Sequence, residues 1–290
     1  MDKLEKALQK ARAAREVELQ RQQQEQQERA ARIADLPPPE VVQSNSVTIH
    51  EGYLERYHVI AHQLRSREAD LFRILRTQVL QIMNQSGYRT LGITSANYGD
   101  GKTTIALNLA ISIAMDMKQT VLLADMDLRK PSVTEYLGIE APFGISDYFT
   151  DNTPISQCML RTNFERLNIL PAGKQMDNSS EVLGSPKIAQ LAQELRARYS
   201  DRIIIYDLPP TLAQDDPITF LPHVDAVLLV INDGVTQITE VKQPMSVLAG
   251  AHVIGSVLNS SEPRKQQHLL KRGFDFIEKT YKGMKQIRVE

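Results

Sequence analysis

The chain has 290 residues, 42% of them hydrophobic, and 34 Lys+Arg against 35 Asp+Glu leave a formal net charge of -1. That balance gives no global attraction to nucleic acid, so no nucleic-acid partner is expected. A single cysteine, Cys158, excludes an intramolecular disulfide framework and reads as a small buried hydrophobe in a reducing compartment; no apolar run approaches the ~18 residues of a membrane span, so a soluble chain is expected.

Residues 1–36 form an N-terminal extension without Gly or Pro and without the apolar centre of a signal peptide. Leu4, Leu8 and Ala11 share one face of a helix, whereas the following QRQQQEQQERAAR is polar all round. An extended solvated helix, part of a coiled coil and disorder all fit that pattern. Pro37, Pro38 and Pro39 end the extension, and 37–64 reads as an extended linker. From 65 to 262 the pattern is that of an α/β domain. A helix is expected over 67–83, where Leu71, Leu75, Val79 and Ile82 recur at helical spacing. Short apolar runs follow at 90–94, 121–125, 167–170, 203–207, 226–231 and 253–259, with helical stretches such as 103–115 and 185–199 between several of them. Val-, Ile- and Leu-rich strands alternating with helices predict a mostly parallel central sheet flanked by helices. The tail, 263–290, is basic: Arg264, Lys265, Lys271, Arg272, Lys279, Lys282, Lys285 and Arg288 outnumber its acids. A solvated helical face and a surface for anionic lipid headgroups both fit it.

The chemistry concentrates at 96–103. ANYGDGKT, set between a strand and a helix, is the A/G-x-x-x-x-G-K-[ST] form of the P-loop. Gly99 and Gly101 let backbone N–H groups turn toward phosphate oxygens, and the helix N-terminus behind them favours anions. The loop and its first helical residues, Ala96, Asn97, Tyr98, Gly99, Asp100, Gly101, Lys102, Thr103 and Thr104, are the candidate binding residues for ATP, with Lys102 on the β- and γ-phosphates and the Thr103 hydroxyl on Mg²⁺. Asp125 and Asp127 end one apolar run and Asp207 ends another. In a parallel sheet those strand ends line the ligand crevice, where carboxylates can hold Mg²⁺ or accept a proton. An aspartate there can instead cap the next helix. Asp70, Arg73 and Arg76 fall on one helix face, where arginines can meet carboxylates or phosphates across an interface; a solvated face has the same spacing.

These motifs together resemble the cytoplasmic kinase domain of the bacterial tyrosine kinases of capsule and exopolysaccharide synthesis, relatives of the MinD/ParA ATPases, over about 70–259. VLLADMDLRKP is similar to the family's second Walker motif, IIIYDLPP to its Walker B with Leu208 in place of Thr, and DLFRILR to its E-x-x-R-x-x-R subunit-contact motif with Asp70 in place of Glu. GISDYF, LNILPAGK, SSEVLGSPK and the VLN at 257–259 follow in the family's order. The resemblance implies catalytic roles for Lys102, Asp125, Asp127 and Arg129, with Asp125 near the incoming tyrosine hydroxyl. It implies metal binding by Thr103, Asp127 and Asp207, and base contact by Asn259. It further implies a homo-oligomer, with a ring as one form, through Asp70, Arg73 and Arg76. A membrane-anchored co-polymerase or activator partner would hold a cytoplasmic chain at the inner face of the membrane. Asn97 stands where MinD/ParA proteins carry a second lysine, which favours the kinase branch. Family kinases usually end in a tyrosine cluster, whereas the tail here has Tyr281 alone. Tyr281 is therefore the candidate phosphoacceptor, and an ATPase switch without autophosphorylation is the alternative.

Overall fold

The computed structural model describes residues 45–116, 118–198, 202–212 and 216–260. The expected N-terminal extension (1–36), the basic tail (263–290) and Tyr281 lie outside the described residues. Among those described, eight strands form one sheet in the order β1-β4-β5-β3-β6-β2-β7-β8. Their ranges are β1 Asn45–Val47, β2 Thr90–Ser95, β3 Thr120–Asp125, β4 Leu160–Thr162, β5 Leu167–Leu170, β6 Arg202–Asp207, β7 Ala226–Asn232 and β8 Val253–Asn259. Every pairing is parallel except β4 with β5, a tight hairpin. β2 and β6 are buried at every position, as strands covered on both faces must be.

Five of the helices position the site or its supports: α1 Glu51–Arg56, α2 Arg67–Ser86, α3 Lys102–Ala114, α4 Val133–Leu137 and α5 Pro186–Arg198. Ser66 caps α2, its side chain accepting from Ala69 N, and Gly87 ends it in the left-handed region at φ 69. α3 is buried on nearly all sides, with Thr104 the only partly exposed position, because it lies between the sheet and α2. The apolar sequence ALNLAISIA fits that environment; an amphipathic helix would not.

The linker expected over 37–64 is corrected from Asn45 onward. β1 pairs with β4, and Ile49, Leu54, Val59 and Ala61 join the core around α3. The folded domain therefore begins about twenty residues before the expected boundary at 65, an interval spanning 45–64. These apolar residues are spaced too irregularly to show helical or strand periodicity, and distant contacts order them. Asn108 on α3, fully buried, holds this strap: its Oδ1 accepts from Ile60 N (2.8 Å) and Ala61 N (2.9 Å), and its Nδ2 donates to His58 O and Thr104 O (2.9 Å each). Asn108→Ala strips the strap's amides of their acceptor and is expected to cost roughly 2–4 kcal/mol, measured by denaturant unfolding.

The topology gathers the candidate site at one sheet edge. The P-loop leaves β2 in the middle of the sheet, and Asp125 and Asp207 are register partners on adjacent β3 and β6. Asn259 ends β8 opposite Asn232 on β7. All of these lie at the carboxyl ends of parallel strands, where open α/β sheets bind their ligands.

Candidate nucleotide site

The loop between β2 and α3 is held from behind by its own aspartate. Asp100 is buried; its Oδ2 accepts from Asn97 N (2.8 Å) and its Oδ1 from Thr236 Oγ1 (2.8 Å). Ser95 Oγ donates to Asn97 O (2.8 Å), and Asn232 Nδ2 reaches Gly99 O at 3.4 Å. Gly99 and Gly101 take φ of 88 and 92, the left-handed conformation that leaves successive N–H groups facing one concavity. At Gly101 a second constraint applies, because Asn259 Nδ2 donates to Asp100 O (3.0 Å) and occupies the space a Cβ would need. Gly101→Ala is expected to lower ADP affinity more than tenfold while the fold survives, as read by calorimetric titration beside a far-ultraviolet spectrum.

Lys102 is nearly buried and lies 3.0 Å from Asp127 Oδ2 and 3.5 Å from Asp207 Oδ1, with Thr103 Oγ1 3.3 Å away. Burial works against its charge, but the carboxylates of Asp207, Asp127 and Asp125 outweigh that and hold its pKa well above the usual lysine value. Thr103 Oγ1 donates to Asp207 Oδ2 at 2.6 Å. Burial also raises the pKa of Asp207, and it pushes Asp125 up to about 7, with the neighbouring Asp207 charge adding to the rise.

The two aspartates of VLLADMD do different things. Asp125 Oδ1 accepts from Asp127 N (3.1 Å), and its Oδ2 accepts from Ser132 N and Val133 N (3.0 Å each). It thereby holds the turn that leads into α4 and does not line the cleft. Asp127 does line it. Its Oδ2 is buried and has the ion pair with Lys102 but no aligned hydrogen-bond donor, which leaves a lone pair for a further cation. Arg129 is exposed and donates to Asp177 O (3.0 Å), away from the cleft.

The cleft over the loop has a volume of about 740 Å³. Tyr98, Gly99, Gly101, Lys102, Thr103, Thr104, Asp127 and Asn259, all of them candidate residues from the sequence, line it. Ala96, Asn97 and Asp100 lie outside the cleft wall, the last two bracing the loop through their hydrogen bond. Lys130 and Pro131, which close the DMDLRKP motif, line it as well, and the rest of the wall lies outside the motifs: Tyr57 and His58 from the strap, Ser132 before α4, Glu135 and Tyr136 on α4, and Ser260. The residues following DMDLRKP carry one usable signal, their nearness to that motif; Tyr57 and His58 carry no local signal.

The donor set fits Mg²⁺ bound together with phosphates. Among the described residues no group of three His, Cys, Asp or Glu side chains forms a closed metal site. Mg²⁺ is instead commonly held by one or two carboxylates and a hydroxyl, with phosphate and water completing the octahedron. Thr103 Oγ1, the free lone pair of Asp127 and Asp207 meet that requirement.

Asp70, Arg73 and Arg76 do share a face of α2, and they are engaged within the chain. Arg73 pairs with Asp70 and donates to Gln63 O (3.1 Å) and Leu64 O (3.0 Å); Arg76 donates to Ser112 O (2.9 Å) and lies 3.9 Å from Asp116.

Comparison with known proteins agrees with this geometry. The family model described as AAA domain matches residues 88–250. The chain is 29% identical over 214 residues to tyrosine-protein kinase YwqD of Bacillus subtilis, covering 73% of this chain and 89% of that one. Among solved structures, the VpsO kinase domain is 33% identical with a TM-score of 0.61, covering 68% of this chain and 97% of that one. The kinase domain of the Escherichia coli tyrosine kinase ETK is 25% identical with a TM-score of 0.66, covering 76% and 90%. Longer relatives also match: the chain is 28% identical to the succinoglycan biosynthesis transport protein ExoP of Rhizobium meliloti over 70% of its own length and 26% of that protein. The chain belongs to the AAA-domain family of P-loop proteins, in the branch of the bacterial tyrosine kinases.

Proposed function

We propose that this protein is an ATP-dependent protein-tyrosine autokinase that regulates the polymerisation and export of an exopolysaccharide or capsule. The observation that carries the reading is a phosphate loop, a buried lysine and two carboxylates, Asp127 and Asp207, converging at one sheet edge of a tyrosine-kinase-like chain. The loop's N–H groups and Lys102 hold the phosphates. Thr103, Asp127 and Asp207 are the residues that would hold Mg²⁺, which when bound would neutralise charge on the transferring phosphoryl group. A tyrosine hydroxyl oxygen bonds to the γ-phosphorus, the bond to the β–γ bridging oxygen breaks, ADP leaves, and the phenolic proton passes to a carboxylate. Catalysis of this kind is mostly positioning and charge neutralisation. Asp125 contributes through the turn it holds, since its oxygens already accept three backbone N–H groups.

The described residues contain no helix long and apolar enough to cross a membrane. In this reading the chain works at the inner face of the membrane through a membrane-anchored partner whose cytoplasmic tail activates it, and it assembles with copies of itself through the Asp70, Arg73 and Arg76 face. Purified protein incubated with γ-labelled ATP and Mg²⁺, with and without that tail, is expected to yield phosphotyrosine. The competing ATPase switch, favoured by a tail with one tyrosine, predicts free phosphate and a nucleotide-dependent oligomer size with no phosphotyrosine in either condition.

A further inference from the structure

Asn232 and Asn259 are register partners at the ends of the adjacent strands β7 and β8. Their carboxamides donate to consecutive P-loop carbonyls, Asn232 to Gly99 O (3.4 Å) and Asn259 to Asp100 O (3.0 Å). Thr236, in the turn after β7, adds a third hold: its hydroxyl accepts from Asn232 N (3.1 Å) and donates to Asp100 Oδ1 (2.8 Å). Asp100 passes that hold on, because its Oδ2 accepts from Asn97 N. The turn is itself fixed. Thr236 N donates to Asn232 O (2.9 Å) and Asp233 N to Asn259 O (2.9 Å), with Gly234 at φ 75. In a trans peptide the C=O and N–H point to opposite sides. Drawing the carbonyls of Gly99 and Asp100 toward β7 and β8 therefore aims the N–H groups of Asp100 and Gly101 the other way, into the concavity that φ of 88 and 92 opens.

We propose that Asn259 and Thr236 are positioning residues of the nucleotide site, holding the P-loop from behind so that its N–H groups face the phosphates before a ligand arrives, and that Asn259 does not select the base. The inference rests only on the nucleotide-binding part of the proposed function and holds for a tyrosine kinase and an ATPase switch alike. Neither residue belongs to the P-loop motif, and each lies more than 130 positions from the atom it holds. The resemblance implies base contact by Asn259, but the group its amide engages is the loop itself, at the same place where its side chain excludes a Cβ on Gly101. A loop already set for phosphate loses less freedom on binding, so the hold acts on affinity for the phosphates whatever is attached to them. Thr236 acts one step further back: without its hydroxyl, Asp100 Oδ1 has no donor and the contact with Asn97 N is no longer fixed in direction.

The test titrates the full chain calorimetrically with ADP, GDP and inorganic tripolyphosphate, each with Mg²⁺, and the base-free probe separates the two roles. Asn259→Ala is expected to weaken all three by a similar factor, roughly tenfold or more, and to leave the ratio of ADP to GDP affinity as it is in wild type. Thr236→Val, which keeps the shape and removes the hydroxyl, is expected to act in the same direction, and Thr236→Ser to restore binding. In turnover assays both damaging variants should raise KM for ATP far more than they lower kcat, since bound phosphates reorder the loop. Hydrogen exchange of the unliganded variants should quicken in the peptide spanning 96–101 and stay unchanged in β2 and α3, a readout that general destabilisation would not reproduce. Wild-type affinity for tripolyphosphate in Asn259→Ala, with the preference for ADP over GDP lost, makes Asn259 a base reader and overturns the assignment. Unaltered binding of all three ligands by Thr236→Val overturns the part given to Thr236. A wild-type chain that binds neither ADP nor tripolyphosphate overturns the nucleotide site and this inference with it.

Discussion

Lys102→Met is expected to reduce both phosphate release and phosphotyrosine formation by at least about 10³-fold, the scale of losing a preorganised charge at a developing anion. The side chain is the one cation among the described residues that lies within 3.5 Å of both Asp127 and Asp207, and no neighbouring group replaces it. The same change has a structural cost, since it leaves two carboxylates buried against each other; removing one partner of a buried pair typically costs about 3–5 kcal/mol. That cost has a definite pH dependence. Burial already raises the folded-state pKa of Asp125 and Asp207, and losing the lysine raises both further. An acid whose folded pKa lies above its unfolded value stabilises the fold most at acid pH and loses that contribution as pH rises through the folded pKa. The variant should therefore be closest to wild type in acid buffer and progressively less stable through neutral pH, which thermal melts across that range will show. Unchanged turnover would mean that Lys102 does not serve the phosphates.

Asp127→Asn separates binding from chemistry. The amide matches the carboxylate in shape but supplies neither the charge that faces Lys102 nor a strong ligand for a hard cation. Turnover is expected to fall roughly 10²–10³-fold. In calorimetric titrations the variant should bind ADP without Mg²⁺ at least as tightly as wild type, while the gain in affinity that Mg²⁺ brings is largely lost. A full Mg²⁺ gain in the variant would assign metal binding to Thr103 and Asp207 alone.

Much of this arrangement is legible along the chain, for a physical reason. Strands such as IIIYD and AVLLVI are covered on both faces, so their composition alone marks them, and the P-loop is a contiguous motif whose glycines are required by its backbone conformation. β1 and β4, three residues each, carry Asn45, Ser46, Arg161 and Thr162; β1 gains its order from a partner more than a hundred residues away in sequence, and β4 from that pairing together with its hairpin to β5. The strap looks like linker for the same reason: Asn108 and the core around α3 order it, and neither is local. Asp125 and Asp127 look equivalent in sequence, and only the direction of the turn into α4 decides that one braces and the other faces the cleft. Arg129, adjacent in the motif, turns outward to Asp177 because the chain reverses there. Tyr57 and Glu135, 78 residues apart, meet only through the fold.

The most direct test of the central claim is the fate of the γ-phosphate. Protein isolated from its native cell and digested to full tyrosine coverage is predicted to carry phosphotyrosine, and the Lys102→Met protein isolated in the same way to carry none. Unmodified tyrosines throughout, in a protein that releases phosphate from ATP, would contradict the kinase account and identify the site as an ATPase switch.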